Sequence, residues 1–362
     1  MKKTLATLLT AGTLLASAVK SAVIDVPIGY TQQNNIQRYY DQAQDGDTLR
    51  FKKVEQPDLH ANLIADEEKN ITIDMNGYRW DGNVQVTSFS GKGLTIQNGM
   101  LNQHSISAYG QSNLNIEDVR FNRFSEAINW QSSGNLTLEN WTAQSYNMGS
   151  GTLVNVSELI GDSKINISRG VLYQAEQFVR LGTDTYANNP ILSVTHNTVN
   201  ETTKPLIFTS ELTRVTGDIA NNAFSELETL VTNPLYARRL RIISNNIVQY
   251  DKVSDEGVIN DPFFAMSLAM NSESSDPLID NNYFFESGFE GQDWYNFNLT
   301  SNSPLIDRGI DLGQSYKGLA PDIGRFESIY GGVPEPSTGL LIGLSAGALA
   351  MKRQRKGSGG KR

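Results

Sequence analysis

No cysteine occurs in the 362 residues. Disulfide staples, thiolate nucleophiles and cysteine-bound zinc are therefore excluded, and stability must come from apolar burial and backbone hydrogen bonds. Histidine is nearly missing as well. His60, His104 and His196 are the three copies, and none stands in the HExxH spacing of a zinc peptidase. The acidic run Asp66-Glu67-Glu68 lacks EF-hand spacing and reads as an exposed loop. No metal and no cofactor is expected. Helical periodicity is scarce: only 35–44, where Ile36, Tyr39, Tyr40 and Ala43 share a face, predicts a helix. Basic residues are few in the body of the chain. The formal net charge is -9, and setting aside two lysines near the start and six basic residues in the last thirty leaves about -17. Such a surface repels nucleic acid and anionic lipid. It also repels acidic polysaccharide, except where a local basic patch overrides the field.

What is present is a repeat. A hexad recurs: apolar, polar, Asn or Asp, often Asn or Gly, any residue, then a large apolar one. It occurs at 73–78 (IDMNGY), 96–101 (IQNGML), 116–121 (IEDVRF), 138–143 (LENWTA), 167–172 (ISRGVL), 194–199 (VTHNTV), 219–224 (IANNAF), 243–248 (ISNNIV) and 279–284 (IDNNYF). The spacing, about 20 to 36 residues, is that of a solenoid. Each copy is preceded by apolar/polar alternation, as in Leu136-Thr-Leu-Glu and Ile165-Asn-Ile-Ser, which predicts a strand. A further apolar segment falls between copies, for example at 127–130, 153–156 and 178–181. The predicted fold is all-β: a right-handed parallel β-helix of roughly nine or more coils with a short N-terminal cap helix. Asn98, Asp118, Asn140, Asn221, Asn245 and Asn281 are placed at equivalent corners, with Arg169 and His196 in the same register. Asparagine tolerates the left-handed backbone of a tight corner and forms side-chain ladders between coils. The role of the column is read as architectural.

With its short helix, the Gly46-Asp47-Thr48-Leu49 entry and the stacked hexads, the body from about 25 to 327 resembles the pectin-lyase-like β-helix superfamily. The run SPLIDRGIDLGQSYKGLAPDIGRFE, 303–327, looks like the closing segment of many bacterial surface β-helix proteins. Asp307, Asp322 and Glu327 within it read either as an acid site or as part of a cap sealing the solenoid's open end. The superfamily includes uronate lyases, glycoside hydrolases and non-enzymatic adhesins, so fold does not select a function. A lyase needs a cation for the uronate carboxylate, a base for the adjacent proton and a donor for the leaving oxygen; Lys and Arg commonly fill those parts in the family. By that resemblance Lys204 and Arg180 are the catalytic candidates, with Lys204 aligned to Glu126, Glu176 and Glu228 of other coils. The cluster Arg238, Arg239, Arg241 is the candidate seat of an anionic sugar. Each of these also reads as a solvated charge. Trp130, Trp141 and Trp294 are candidates for stacking on sugar rings or for packing. The hydrolase's paired carboxylates cannot be picked out among so many Asp and Glu. No Asn-Thr-Asp, Asp-Asp with Gly-His-Gly, or Trp-Ile-Asp-His segment is present.

The two ends carry targeting patterns. Lys2 and Lys3 precede an apolar run to Leu15 and small residues at 16–18, a secretory signal peptide cut after Ala18 or Ala22. At the other end Pro334-Glu335-Pro336 precedes an apolar run to Met351, then Lys352, Arg353, Arg355 and Lys356. The apolar stretch is about 14 residues, short against the roughly 20 of a comfortable span. The basic tail orients it with the body outside the cytoplasm. This three-part order resembles the PEP-CTERM sorting signal of Gram-negative bacteria, which implies an exosortase as processing partner, an inner-membrane intermediate with a C-terminal transmembrane helix, and delivery to the cell surface or extracellular matrix. The expected organisation is a signal peptide, 1–18; cap and first strand, 19–55; β-helix, 56–302; closing cap, 303–332; and sorting signal, 333–362. Two functions follow: a surface or matrix protein binding or organising extracellular polysaccharide, or a polysaccharide lyase or glycoside hydrolase acting on it.

Overall fold

The computed structural model describes residues 21–28, 35–53, 58–66, 68–145, 151–187, 190–202, 204–208, 215–227, 231–232, 240–243, 245–249, 279–280, 299–303, 305–313, 315–316, 318–325 and 327. The leader at 1–18 and the sorting signal with Pro334, Glu335 and Pro336 lie outside them. Among the described residues no helix is long and apolar enough to cross a membrane.

The chain winds as an all-β, right-handed parallel β-solenoid of about seven complete turns, with partial rungs at both ends. Three ladders form its faces, and every pairing is parallel. The first runs through Val23–Ile28, Thr48–Lys53, Ile71–Asp74, 93–97, 113–117, Asn135–Glu139, Lys164–Ser168, Ile191–Thr195, Thr216–Ala220, Leu240–Ile243 and Ile279–Asp280. The second includes 119–122, Thr142–Gln144, Val171–Tyr173, Thr198–Asn200 and Ala223–Leu227. The third includes 105–110, Glu126–Ser132, Thr152–Gly161, Gln177–Ala187 and Leu206–Phe208. The nine hexads suggested nine or more coils. The first ladder reaches that far, but its last rungs, 240–243 and 279–280, lie beyond the turns whose three faces are all described.

Alternation decides what each strand buries. Leu49, Ile73, Ile96, Ile116, Leu138, Ile167, Val194 and Ile219 stack as one inward column without solvent exposure, each in register with its neighbour. The second face contributes Trp80, Leu101, Phe121, Leu172 and Phe224, and the third Val84, Ile106, Ile128, Val154 and Val179. Trp130 and Trp141 are fully buried, which decides their two readings in favour of packing. Both indoles fill the interior, and a Cβ on Gly170 would lie 1.7 Å from the Trp141 ring. Trp294 lies outside the described residues.

The predicted helix is present as Asn35–Gln42. Ile36, Tyr40 and Ala43 are buried, and Gln37 clips the helix to a strand edge by accepting from Ile64 N–H at 2.7 Å and donating to Ile64 O at 2.9 Å. Lys69 is buried, donates to the carbonyls of Tyr40 (2.6 Å) and Ala43 (3.1 Å), and sits 4.4 Å from the Tyr40 ring centroid. A cation is thereby placed on the last carbonyls of the helix. In the same stretch Glu68 accepts from Phe89 N–H and Ser88 O–H and also bonds Ser90. These bonds, the Ser90 hydroxyl first, hold its carboxyl below the usual range, so it serves as a link to the next coil.

The corners separate two roles. Asn98, Asp118, Asn140, Arg169, His196 and Asn221 have φ of 58, 53, 52, 54, 56 and 57°, the left-handed region that short polar side chains tolerate best. The following residue points inward. There Asn197, Asn222 and Asn245, all without exposure, form a buried amide ladder. Asn222 Oδ1 accepts from Asn197 N–H and Nδ2–H, each at 3.0 Å; Asn222 Nδ2 donates to Asn245 Oδ1 at 3.0 Å and to Val194 O at 2.8 Å. Asn245 thus belongs to the inner column and not to the corner column. Ile242 pairs with Ile219, so that hexad begins one residue earlier than read, a slip permitted by the Ile242-Ile243 doublet. Asn281 lies outside the described residues. Replacing Asn222 by Ala removes the acceptor of the buried Asn197 N–H and the donor to Val194 O. It is expected to cost about 2–4 kcal/mol in denaturant unfolding, whereas Asn166→Ala on the exposed outer face shifts stability by no more than about 0.5 kcal/mol.

Candidate functional site

Along the corner column, exposure falls from coil to coil. Asn98 and Asp118 are exposed, Asn140 and Arg169 half-buried, His196 and Asn221 buried. The cause is the segment 305–327, which folds back over this corner. Asn221 Oδ1 accepts from Ile310 N–H at 2.9 Å and its Nδ2 donates to Ile310 O at 2.8 Å. Gly324 N–H donates to Asn221 O at 2.8 Å, and Arg325 N–H to Thr198 Oγ1 at 3.2 Å. Leu305 and Ile323 pack with Ala223 and Leu299 in a small separate core. The segment was expected to seal the open end; its described contacts lie on the flank. The three carboxylates considered as an acid site are backbone acceptors. Asp307 accepts from Leu319 N–H at 2.9 Å and Ala320 N–H at 3.3 Å, Asp322 from Asp307 N–H at 2.8 Å, and Glu327 from Asp322 N–H at 3.2 Å.

Between segment and corner lies a cavity of about 220 Å³ lined by Arg169, His196, Ser315, Tyr316, Arg325 and Glu327. Arg169 and His196 come from adjacent coils at corner positions, so their Cα spacing is the inter-strand repeat of about 4.8 Å. Arg169 Nη1 reaches Glu139 Oε1 at 3.3 Å. Burial lowers the pKa of the Arg325 guanidinium, and Asp118 opposes that shift.

His196 is the best-defined group here. Its Nε2 lies 3.0 Å from Asn221 Nδ2. Because the Ile310 backbone fixes the Asn221 amide, Nδ2 is the donor and Nε2 the acceptor, which puts the imidazole proton on Nδ1. Nδ1 is buried with no hydrogen-bond partner among the described residues. Burial, and secondarily the Arg169 charge, lower the His196 pKa to about 4. Protonation would also turn Nε2–H toward the amide hydrogens of Asn221.

The described residues singled out from sequence fall at two faces. Arg180 stands exposed on the third face, paired in register with Asn155 and Ile207. Lys204 is half-buried just before that face, its N–H bonded to Glu176 O at 2.9 Å. Thr152 pairs with both Glu126 and Gln177, so Glu176 precedes the Glu126 column by one residue, a shift that corrects the alignment. Glu228 lies outside the described residues, as do Arg238 and Arg239. Arg241 is on the first face, in register with Asp218. Sequence reasoning passed over Arg169, His196 and Arg325 as site residues because the first two fit the corner pattern and the third stands 129 positions from His196 in the chain. The available signal was that Arg and His replaced Asn at successive corners.

The sign of the His196 effect follows from its lowered pKa. The unfolded chain takes up this proton near 6.5 and the folded chain near 4, so the neutral, folded form is favoured fully above about 6.5. That contribution is lost as pH falls through 4, by about 3 kcal/mol in total. Denaturant midpoints from pH 7 to 4 are expected to show this loss in the native protein and a flatter profile in His196→Asn.

No family model and no curated protein matches the chain. Among solved structures, the crystal structure of pectate lyase Pel9A is similar to it at 15% identity, over 85% of this chain and 96% of that one, with a TM-score of 0.40.

Proposed function

We propose that this chain is an exported β-helix protein that binds or organises extracellular polysaccharide without cleaving it. One observation carries this reading. The first face presents Thr72, Thr95, Asn115, Thr137, Asn166 and Ser193 as an outward, in-register column, all half-buried or exposed. Short uncharged donors and acceptors repeat there about every 4.8 Å, on a rigid ledge suited to the hydroxyls of an extended chain. Beyond Ser193 the next register positions of this column are Asp218 and Arg241, whereas the Asp25–Arg50 pair, joined at 2.9 Å, belongs to the neighbouring outward column of Asp74. Arg180 lies on the third face, Lys204 just before it in the next coil, and Arg241 on the first face.

The leader and the Pro334-Glu335-Pro336 tail support export, exosortase processing and a final place at the cell surface or in the matrix. On this reading the membrane is a transient partner and nucleic acid is none.

Retention of the purified chain on immobilised polysaccharides tests the ledge. The double variant Thr137→Glu, Asn166→Glu is expected to weaken retention about tenfold or more with little change in unfolding midpoint, and absorbance at the unsaturated-uronate band stays flat on acidic glycans. A rise in that band that disappears in Lys204→Ala or Arg180→Ala replaces the binding reading with a lyase. Retention by the double variant equal to that of the native chain removes the ledge.

A further inference from the structure

The cavity beneath the closing segment differs from the ledge in chemistry. The ledge balances donors and acceptors, whereas the cavity is rich in donors. Arg169, Arg325, His196, Ser315 and Tyr316 all carry N–H or O–H groups. Glu327 is the acceptor-only side chain among its described lining residues, and one of its oxygens already accepts from Asp322 N–H. Of the five guanidinium hydrogens of Arg169, the contact with Glu139 engages one nitrogen, Nη1, at 3.3 Å. His196 is 5% exposed, and its Nδ1–H has no acceptor among the described residues. A buried donor left without an acceptor costs free energy that a ligand oxygen would recover.

Size narrows the ligand further. A volume of 220 Å³ corresponds to about seven waters and lies below the roughly 300 Å³ of a typical small-molecule pocket. It suits one sugar ring, not an oligosaccharide. Tyr316, 37% exposed, offers a ring at the mouth. The nearby carboxylates Glu139, Asp118 and Glu327 make the surroundings selective, since an anion gains only if it meets the Arg169 guanidinium directly.

From the cavity's place beneath the strap, the Arg169 guanidinium on its wall and its buried imidazole N–H, we infer that it is a subsite for a single sugar unit bearing a carboxylate or sulfate, the anion meeting Arg169 and His196 Nδ1–H. The inference rests on the polysaccharide-binding reading for its ligand class but not on the ledge for its geometry. It also resolves how an acidic body engages an acidic chain: locally, one charged unit at a time, at a site shielded from the general field.

Binding of an anion favours the imidazolium, so it raises the pKa of His196. The test follows the His196 ring by NMR in the full-length native chain through a pH titration, with His60 and His104 as internal references. Three arms are compared: glucuronate, glucose 6-sulfate and glucose. Either charged sugar is expected to raise the His196 pKa and to bind about tenfold or more tightly than glucose; which of the two does so identifies carboxylate or sulfate. Arg169→Gln is expected to abolish the difference while retention on the ledge persists. Equal behaviour of all three sugars, or no movement of His196 with either anion, overturns the subsite. Polysaccharide retention that survives this result leaves the ledge standing. A His196 response in a chain that no polysaccharide retains keeps the subsite and removes the ledge.

Discussion

The in-register stacking of parallel coils is the constraint on which the rest of the structure depends. In a parallel ladder each strand's amide and carbonyl groups are satisfied by the coils before and after it, so a residue's surroundings are set by the column it joins. An inward column is either apolar through its length, as from Leu49 to Ile219, or hydrogen-bonded from coil to coil, as at Asn197, Asn222 and Asn245. An outward column is free to vary. A corner column must adopt a left-handed backbone at every level, because a coil that turned differently would lose its pairing with both neighbours. The cost is about 1 kcal/mol or more per non-glycine residue. It recurs at six successive levels from Asn98 to Asn221 because backbone pairing on both sides over-determines it.

That constraint also explains how one column acquires two roles. The backbone requirement at the corner leaves the side chain free to point outward. In the early coils the result is exposed Asn98 and Asp118. Where the segment 305–327 returns, the same positions become contacts. Asn221 holds Ile310 through both halves of its amide, and that amide sets the tautomer of His196 one coil below. Arg169, one coil further, lines the cavity and adds to the lowering of the His196 pKa that burial chiefly causes. The inner position beside each corner is used differently again, for buried amides that bond along the solenoid axis at Asn197, Asn222 and Asn245.

Much of this was legible in the residues. Period-two alternation around the hexads exposed the strands, and the recurring Asn or Asp exposed the first corner. The helix at 35–42 was visible from the facing of Ile36 and Tyr40. A second corner was not. Gln103, Arg123, Gln174 and Glu201 also adopt left-handed φ of 50, 57, 55 and 47°, yet none of these four positions is itself asparagine or glycine. There the ladders on either side impose the backbone, and the side chains compensate locally, with Gln174 donating to Glu201 at 2.9 Å and Tyr173 to the same carboxylate at 3.0 Å. Trp130 and Trp141 were ambiguous for a related reason: an aromatic in a strand of uncertain register points either way, since one residue of slip exchanges the faces.

Local sequence settled the winding, because alternation and corner chemistry are short-range properties that repeat at each level and therefore reinforce one another. The placement of 305–327 against the flank was decided by three-dimensional packing alone. It brings Arg325 onto Thr198 across 127 residues, and no periodicity encodes a contact made once. The candidate cavity belongs to that second class. Its members reside in two coil corners and a returning strap, so their meeting is a consequence of where the strap finds hydrogen-bond partners, the amide of Asn221 foremost.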